Sequence, residues 1–183
     1  MTSSPTLGTG TAPHPAPGPA TAGEPRDALD RHPESARPRS RARRRRDTEH
    51  RLDHDVDVWV ATASADGVPY MVPLSFDRDG EALLVATPAG SPTGRNLAAT
   101  RVVRLGLGLT RDVTMIDGEV EVLEIDELPR ERGDRFAERT GFDPRASATP
   151  YRWFRITPRR VQAWREADEL AGRELMRDGR WLA

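Results

Sequence analysis

The sequence contains no cysteine and no lysine; all 28 of its Lys-or-Arg residues are arginine. The missing cysteine excludes disulfides, thiol nucleophiles, cysteine zinc sites and thiolate-held iron–sulfur clusters. The missing lysine excludes Schiff-base chemistry and a P-loop lysine. Histidine is scarce: His14, His32, His50 and His54 all lie in the first third, so a histidine general base would have to come from there. No apolar run approaches the roughly 18–20 residues of a membrane-spanning helix. Nothing near the start has the apolar core of a secretory signal. The pair Arg43–Arg44 is followed by Arg45-Arg46-Asp47-Thr48-Glu49 and not by a hydrophobic segment, which excludes a twin-arginine export signal. A cytoplasmic protein without membrane contact is expected.

What is present divides the chain in two. Residues 1–46 carry nine arginines against four acids, and residues 47–183 carry 19 arginines against 25 acids, so +5 and −6 give the net −1. Residues 1–38 are built from Pro, Ala, Ser, Thr and Gly and hold eight of the sixteen prolines. Such a stretch has little apolar surface to bury, and chain entropy keeps it disordered. Arg39–Arg46 adds six arginines. As a polyanion-binding arm it would attract nucleic acid; with no aromatics interleaved for base stacking, a solvated linker is the plainer reading. Any nucleic-acid role is therefore confined to this basic tail. The expected organisation is a disordered Pro/Ala/Arg-rich tail over 1–46 and one folded domain over 47–183.

Residues 47–55 predict a short helix, on which His50 and His54 share a face; no third ligand has metal-site spacing, so no metal site is assigned. From Val56 the pattern turns to strands: Val58–Ala63, Val68–Phe76, Ala82–Thr87, Arg101–Leu109 and Val113–Leu123. Ser64-Ala65-Asp66-Gly67 and Asp77-Arg78-Asp79-Gly80 supply turn residues between them. The fifth strand should kink at Asp117-Gly118. A helix is predicted over Asp126–Thr140, capped by Asp126 and ended by Gly141. Tyr151–Thr157 and Arg160–Trp164 follow as two strands, and a last hairpin turns at Arg177-Asp178-Gly179. Short strands, Gly-rich turns and few helices imply a mainly β protein closed into a barrel.

The stretch Ala86-Thr87-Pro88-Ala89-Gly90-Ser91-Pro92-Thr93-Gly94-Arg95-Asn96-Leu97 leaves a strand and opens a helix. Ser91 suits the N-cap and Pro92 the first helical position. A helix start offers free N–H groups and the positive end of the dipole. Arg95 is a cation on that turn, disfavoured unless an anion compensates it. Ser91, Thr93 and Arg95 thus read either as a phosphate cradle or as an ordinary capped helix with Arg95 reaching water.

Trp59–Ala63, the run Asp66–Leu74, Leu83–Thr87 with Arg95-Asn96-Leu97, Val102–Leu105, Gly118–Val122 and the close Tyr151–Pro158 with Val161–Trp164 form an ordered series. It resembles the pyridoxamine 5′-phosphate oxidase-like family over about residues 50–182. The resemblance implies a six-stranded split β-barrel, a homodimer, and FMN or the deazaflavin coenzyme (F-420) at the subunit interface. The phosphate would lie on Thr87, Ser91, Thr93, Arg95 and Asn96. Many relatives have a basic residue where this chain has Thr93. Backbone near Ala61–Thr62 and Pro73–Ser75 would line the ring system. Trp164 matches a family tryptophan near the cofactor and reads equally as a core or interface aromatic. Arg101 and Arg104 could extend a basic track toward a polyglutamate tail. The chain offers no match to the Arg-Leu-His of authentic vitamin oxidases. The implied function is flavin- or deazaflavin-dependent oxidation or reduction of a small molecule, the cofactor carrying the chemistry. The alternative is a split-barrel binding protein without turnover or without cofactor.

Overall fold

Val58, Val60 and Thr62 alternate with Trp59, Ala61 and Ala63, and burial follows that alternation on the first strand. Period-2 patterning of this kind commits one face of each strand to a core. The computed structural model describes residues 37–183. There the chain runs α1 (Arg41–His54), β1 (Asp57–Ala63), β2 (Pro69–Asp79), β3 (Ala82–Pro88), α2 (Pro92–Thr100), β4 (Val102–Leu109), β5 (Asp112–Leu123), α3 (Arg130–Thr140), β6 (Tyr151–Arg165), β7 (Glu174–Arg177) and β8 (Arg180–Trp181). The sheet order is β3-β2-β1-β4-β5-β6, every neighbouring pair antiparallel. A further pairing of β3 with β6, from Leu83↔Ile156 to Pro88↔Tyr151, closes these six strands into a barrel. β7 and β8 form a short hairpin on the edge of β6.

The barrel interior holds Val60, Phe76, Leu83, Val85, Leu105, Ile116, Phe154 and Ile156, all buried. Leu97 of α2 and Leu52 of α1 belong to the same cluster. α1 also meets the interior through a Thr48–Thr114 hydroxyl contact of 3.3 Å. A second cluster lies outside the barrel, where Phe136 of α3 covers Leu84, Ala86 and Trp153. Phe136 and Trp153 meet edge to face at 5.0 Å. The kink expected at Asp117-Gly118 is a register shift in the β5–β6 pairing at that step. A Cβ at Gly118 would stand 2.6 Å from Ile156 Cγ2, so the shifted strands leave no room for a side chain there.

Four expectations are corrected. The boundary at residue 46 falls inside a helix: α1 begins at Arg41 with Ser40 as its N-cap, so Arg39–Arg46 is no solvated linker. Arg39 donates to Glu169, Asp47 and Asp112, and Arg44 is buried with Nη1 donating to the Ala163 and Glu169 carbonyls. The rest of the expected tail, residues 1–36, lies outside the described residues, as do His14 and His32. Asp126 is not a cap, because α3 starts at Arg130 after Pro129. The two strands read on either side of Pro158 are one strand, β6; the irregularity opposite Asp117/Gly118 absorbs the break that the proline suggests. Finally, β4 starts at Val102, because Arg101 is the left-handed C-cap of α2 (φ 58°).

Candidate functional site

Thr62, Thr87 and α2 meet at one mouth of the barrel. Thr62 continues the inward row of Val58 and Val60; Thr87 continues that of Leu83 and Val85. Ser91 caps α2 as expected, its Oγ accepting the Gly94 N–H at 2.9 Å, with Pro92 at the first helical position. The Thr87 and Ser91 hydroxyls lie 3.2 Å apart. Asn96 Nδ2 donates to Thr62 Oγ1 at 3.1 Å, and that hydroxyl donates in turn to the Tyr70 carbonyl at 3.3 Å. Buried Asn96 therefore ties α2 across the mouth to the β1–β2 hairpin. Thr93 is 2% exposed, buried beside the cap on the first turn of α2. A Cβ at Gly94 would stand 2.4 Å from the Pro88 carbonyl oxygen, so the helix start rests directly on the end of β3.

Arg95 stays on the exposed side of the first turn, and its Nη1 donates to the Gly90 carbonyl. Backbone donors at the helix start are few. Pro92 has none, Ser91 Oγ takes the Gly94 N–H, and the Ser91 carbonyl takes that of Arg95. An anion here would depend on the hydroxyls of Thr87, Ser91 and Thr93 and on a side-chain cation.

A groove of about 540 Å³ runs over the outside of β1, β4 and β5 beside this mouth. Its lining includes Ala61, Thr62 and Val102, with Arg104, Asp117, Glu119 and Arg159 as charged residues. Arg104 is held by Asp117 at 2.5 and 3.1 Å, and Arg159 lies 3.4 Å from Glu119. The hydrogen bond to Asp117, and then its charge, raise the Arg104 pKa. The basic track imagined along Arg101 and Arg104 is thus neutralised at Arg104. Pro73 pairs with Trp59 on the outer face, and Ser75 Oγ donates to Asp57 at 2.7 Å.

The structure brings Thr62, Thr87, Ser91, Thr93, Arg95 and Asn96 to one end of the barrel, with Ala61 on the adjoining groove. Pro73 and Ser75 lie farther along β2. Trp164 is not with them in the same chain. It lies twelve residues along β6 from Arg152, the partner of Thr87, roughly 40 Å of strand at about 3.3 Å per residue. It occupies the outer face, with the Arg173 guanidinium 5.5 Å from its ring centre. Sequence reasoning missed Arg152 itself. Its position opposite Thr87 follows only from the β3–β6 register, which no local pattern announces.

Comparison with known proteins bears on the fold. The family model described as pyridoxamine 5′-phosphate oxidase matches residues 52–165. The chain belongs to this family. Among solved structures the barrel is similar to an F420 reductase, with 20% identity and a TM-score of 0.51 over 62% of this chain and 94% of that one. It is also similar to HutZ, the haem storage protein of Vibrio cholerae, with 17% identity and a TM-score of 0.52 over 66% and 94%. A conserved hypothetical protein of Mycobacterium tuberculosis, Rv2991, shares 16% identity with a TM-score of 0.53 over 67% and 85%. At these identities the likeness is one of fold. No curated protein matches the sequence.

The names carried by structures of this fold thus range from a reductase to a haem storage protein. His50 and His54 are the histidines among the described residues. They stack on α1 with ring centres 4.0 Å apart, and His54 Nδ1 lies 2.8 Å from the His50 carbonyl. No group of three or more potential ligands gathers among the described residues to hold a metal. No helix among them is long and apolar enough to cross a membrane.

Proposed function

We propose that this chain is a split-barrel binding protein whose ligand is a phosphorylated flavin, FMN or the deazaflavin coenzyme. The observation that carries this reading is the convergence of Thr87, Ser91 and Thr93 at the start of α2. Three hydroxyls, a capped helix start and a neighbouring arginine are the donor set that a phosphate monoester requires. The adjoining groove, where Ala61, Ala63, Val102 and Gly118 lie beside its charged residues, would take the flat ring system. Ligand sites of this volume are ordinarily apolar with a few placed polar groups.

Trp164 could line such a site only from a second copy of the chain. That agrees with a homodimer whose cofactor lies between subunits. The bound flavin would supply redox chemistry; this chain's residues would bind and orient it and exclude water. Oxidoreductase turnover on a small molecule is the second reading, favoured by the family model. Nothing in the mouth forms an acid–base dyad, so the binding reading needs fewer assumptions.

The test is direct. Purified full-length protein should take up FMN or the deazaflavin with a change in absorbance and fluorescence, and the bound species is identified by mass spectrometry. Uptake of neither cofactor overturns the proposal. Reduction of the bound cofactor by a nicotinamide donor, followed by reoxidation with a substrate, would promote the second reading over the first.

A further inference from the structure

We infer that Arg152 is the cation that receives the ligand's phosphate, and that Glu124 holds it in reserve until the ligand arrives. This inference rests on the phosphorylated-flavin reading and deepens it. Arg152 pairs with Thr87 across the β3–β6 seam. Directly opposed residues of antiparallel strands project to the same side with Cβ atoms about 5 Å apart. Thr87 in turn lies 3.2 Å from the Ser91 hydroxyl that caps α2. The arginine stem therefore stands one strand-width from the helix start. Phe154, two residues farther along β6, faces the barrel core, so Arg152 continues that inward row at the mouth.

Its present engagement is incomplete. Nε lies 2.7 Å from Glu124 Oε1, yet this buried atom makes no hydrogen bond of acceptable geometry. Glu124 is exposed and gives up the arginine at little cost, since water screens an ion pair whose carboxylate faces solvent. A phosphate offers an arginine two parallel charge-assisted hydrogen bonds in its place. Arg95 is less well placed, because it is exposed and already donates to Gly90.

The experiment titrates FMN and riboflavin into the full chain and follows flavin fluorescence. Arg152→Gln should weaken FMN binding about tenfold and leave riboflavin unchanged. Glu124→Gln should strengthen FMN binding severalfold by freeing the arginine. Glu121→Gln removes the same charge from the outward face of β5 and should do nothing. A merely structural ion pair would instead make the Arg152 and Glu124 variants change FMN and riboflavin in parallel, which overturns the inference. If the wild type binds FMN but neither variant shifts it, Arg152 loses its role while the flavin reading stands. If the wild type binds no flavin at all, both fall together. Thermal melts of each variant confirm folding, and Arg152→Lys should retain part of the FMN preference.

Discussion

Two positions on the first turn of α2 show what single residues decide. Gly94 is fixed by contact: an added methyl would stand 2.4 Å from a backbone carbonyl oxygen that has no freedom to move aside. Gly94→Ala should destabilise the fold by about 1–3 kcal/mol, the usual cost of overpacking. A thermal melt should show it, with flavin uptake falling as α2 is lifted from β3. Arg95 is fixed by charge. Its guanidinium rests on the Gly90 carbonyl, and turning it toward a phosphate costs that bond. Arg95→Ala should weaken FMN severalfold at most, less than Arg152→Gln, and leave riboflavin alone; equal FMN affinity in mutant and wild type would remove Arg95 from the site. Ser91 and Pro92 were legible because capping depends on neighbours in sequence. Arg152 was not, because its relation to Thr87 spans 65 positions and exists only once the barrel closes.

At the scale of elements, the arginine run departs furthest from what composition implies. A local count of charge cannot see that Glu169 and Asp112 wait at the far end of the barrel wall. Arg39 donates to Glu169 through its amide, at 2.7 Å, and through its side chain, and the same side chain reaches Asp112 at 3.0 Å. Asp112 also takes Arg51 and Arg165 at 3.0 and 2.8 Å. Removing residues 1–46 would therefore leave two partly buried carboxylates short of partners, a loss of about 3–5 kcal/mol for a buried pair. Beginning the chain at Asp47 should lower the melting temperature by roughly 10 °C. Beginning it at Arg37 should cost little.

The same latch predicts a pH dependence. Burial alone would raise the Glu169 pKa, but hydrogen bonds from the Arg39 side chain and amide and from the Arg165 amide outweigh it and bring it to about 2. A carboxylate depressed on folding contributes stability above its unfolded pKa, near 4.5, and loses it as the pH falls toward 2. Denaturant titrations from pH 5 to 2 should show that loss, and Glu169→Gln should be less stable at pH 7 with a flatter acid limb. An unchanged acid limb would place the titration elsewhere.

For the whole molecule, strand count, turns and the β5 kink were readable because period-2 burial and Gly-rich turns are local signals. Closure was not. Whether β3 meets β6 depends on strand tilt and shear around the ring. Closure leaves one outer face apolar. Trp59 pairs with Pro73 on one side and Gly106 on the other, Gly106 pairs with Met115, and Ala61 pairs with Met71. Trp59 is 50% exposed and Met71 60%. Gly106 lets the face lie flat, since a Cβ there would already touch Met115 and Trp59. A contiguous apolar patch of this kind is the sort of surface that protein–protein contacts bury. A two-fold dimer would present the same patch from both subunits, beside the groove that includes Ala61. The full chain should therefore sediment as a dimer at micromolar concentration. Trp59→Glu places a charge at the centre of the patch without touching the core, so the barrel should fold and melt near the wild-type temperature. It should sediment as a monomer, because an unpaired carboxylate cannot be buried there at acceptable cost. If Trp164 completes the cofactor site from the second copy, the monomer should also bind FMN more weakly than the dimer. A monomeric wild type would end the proposal, and a monomeric variant that binds FMN at full strength would show that one copy holds the whole site.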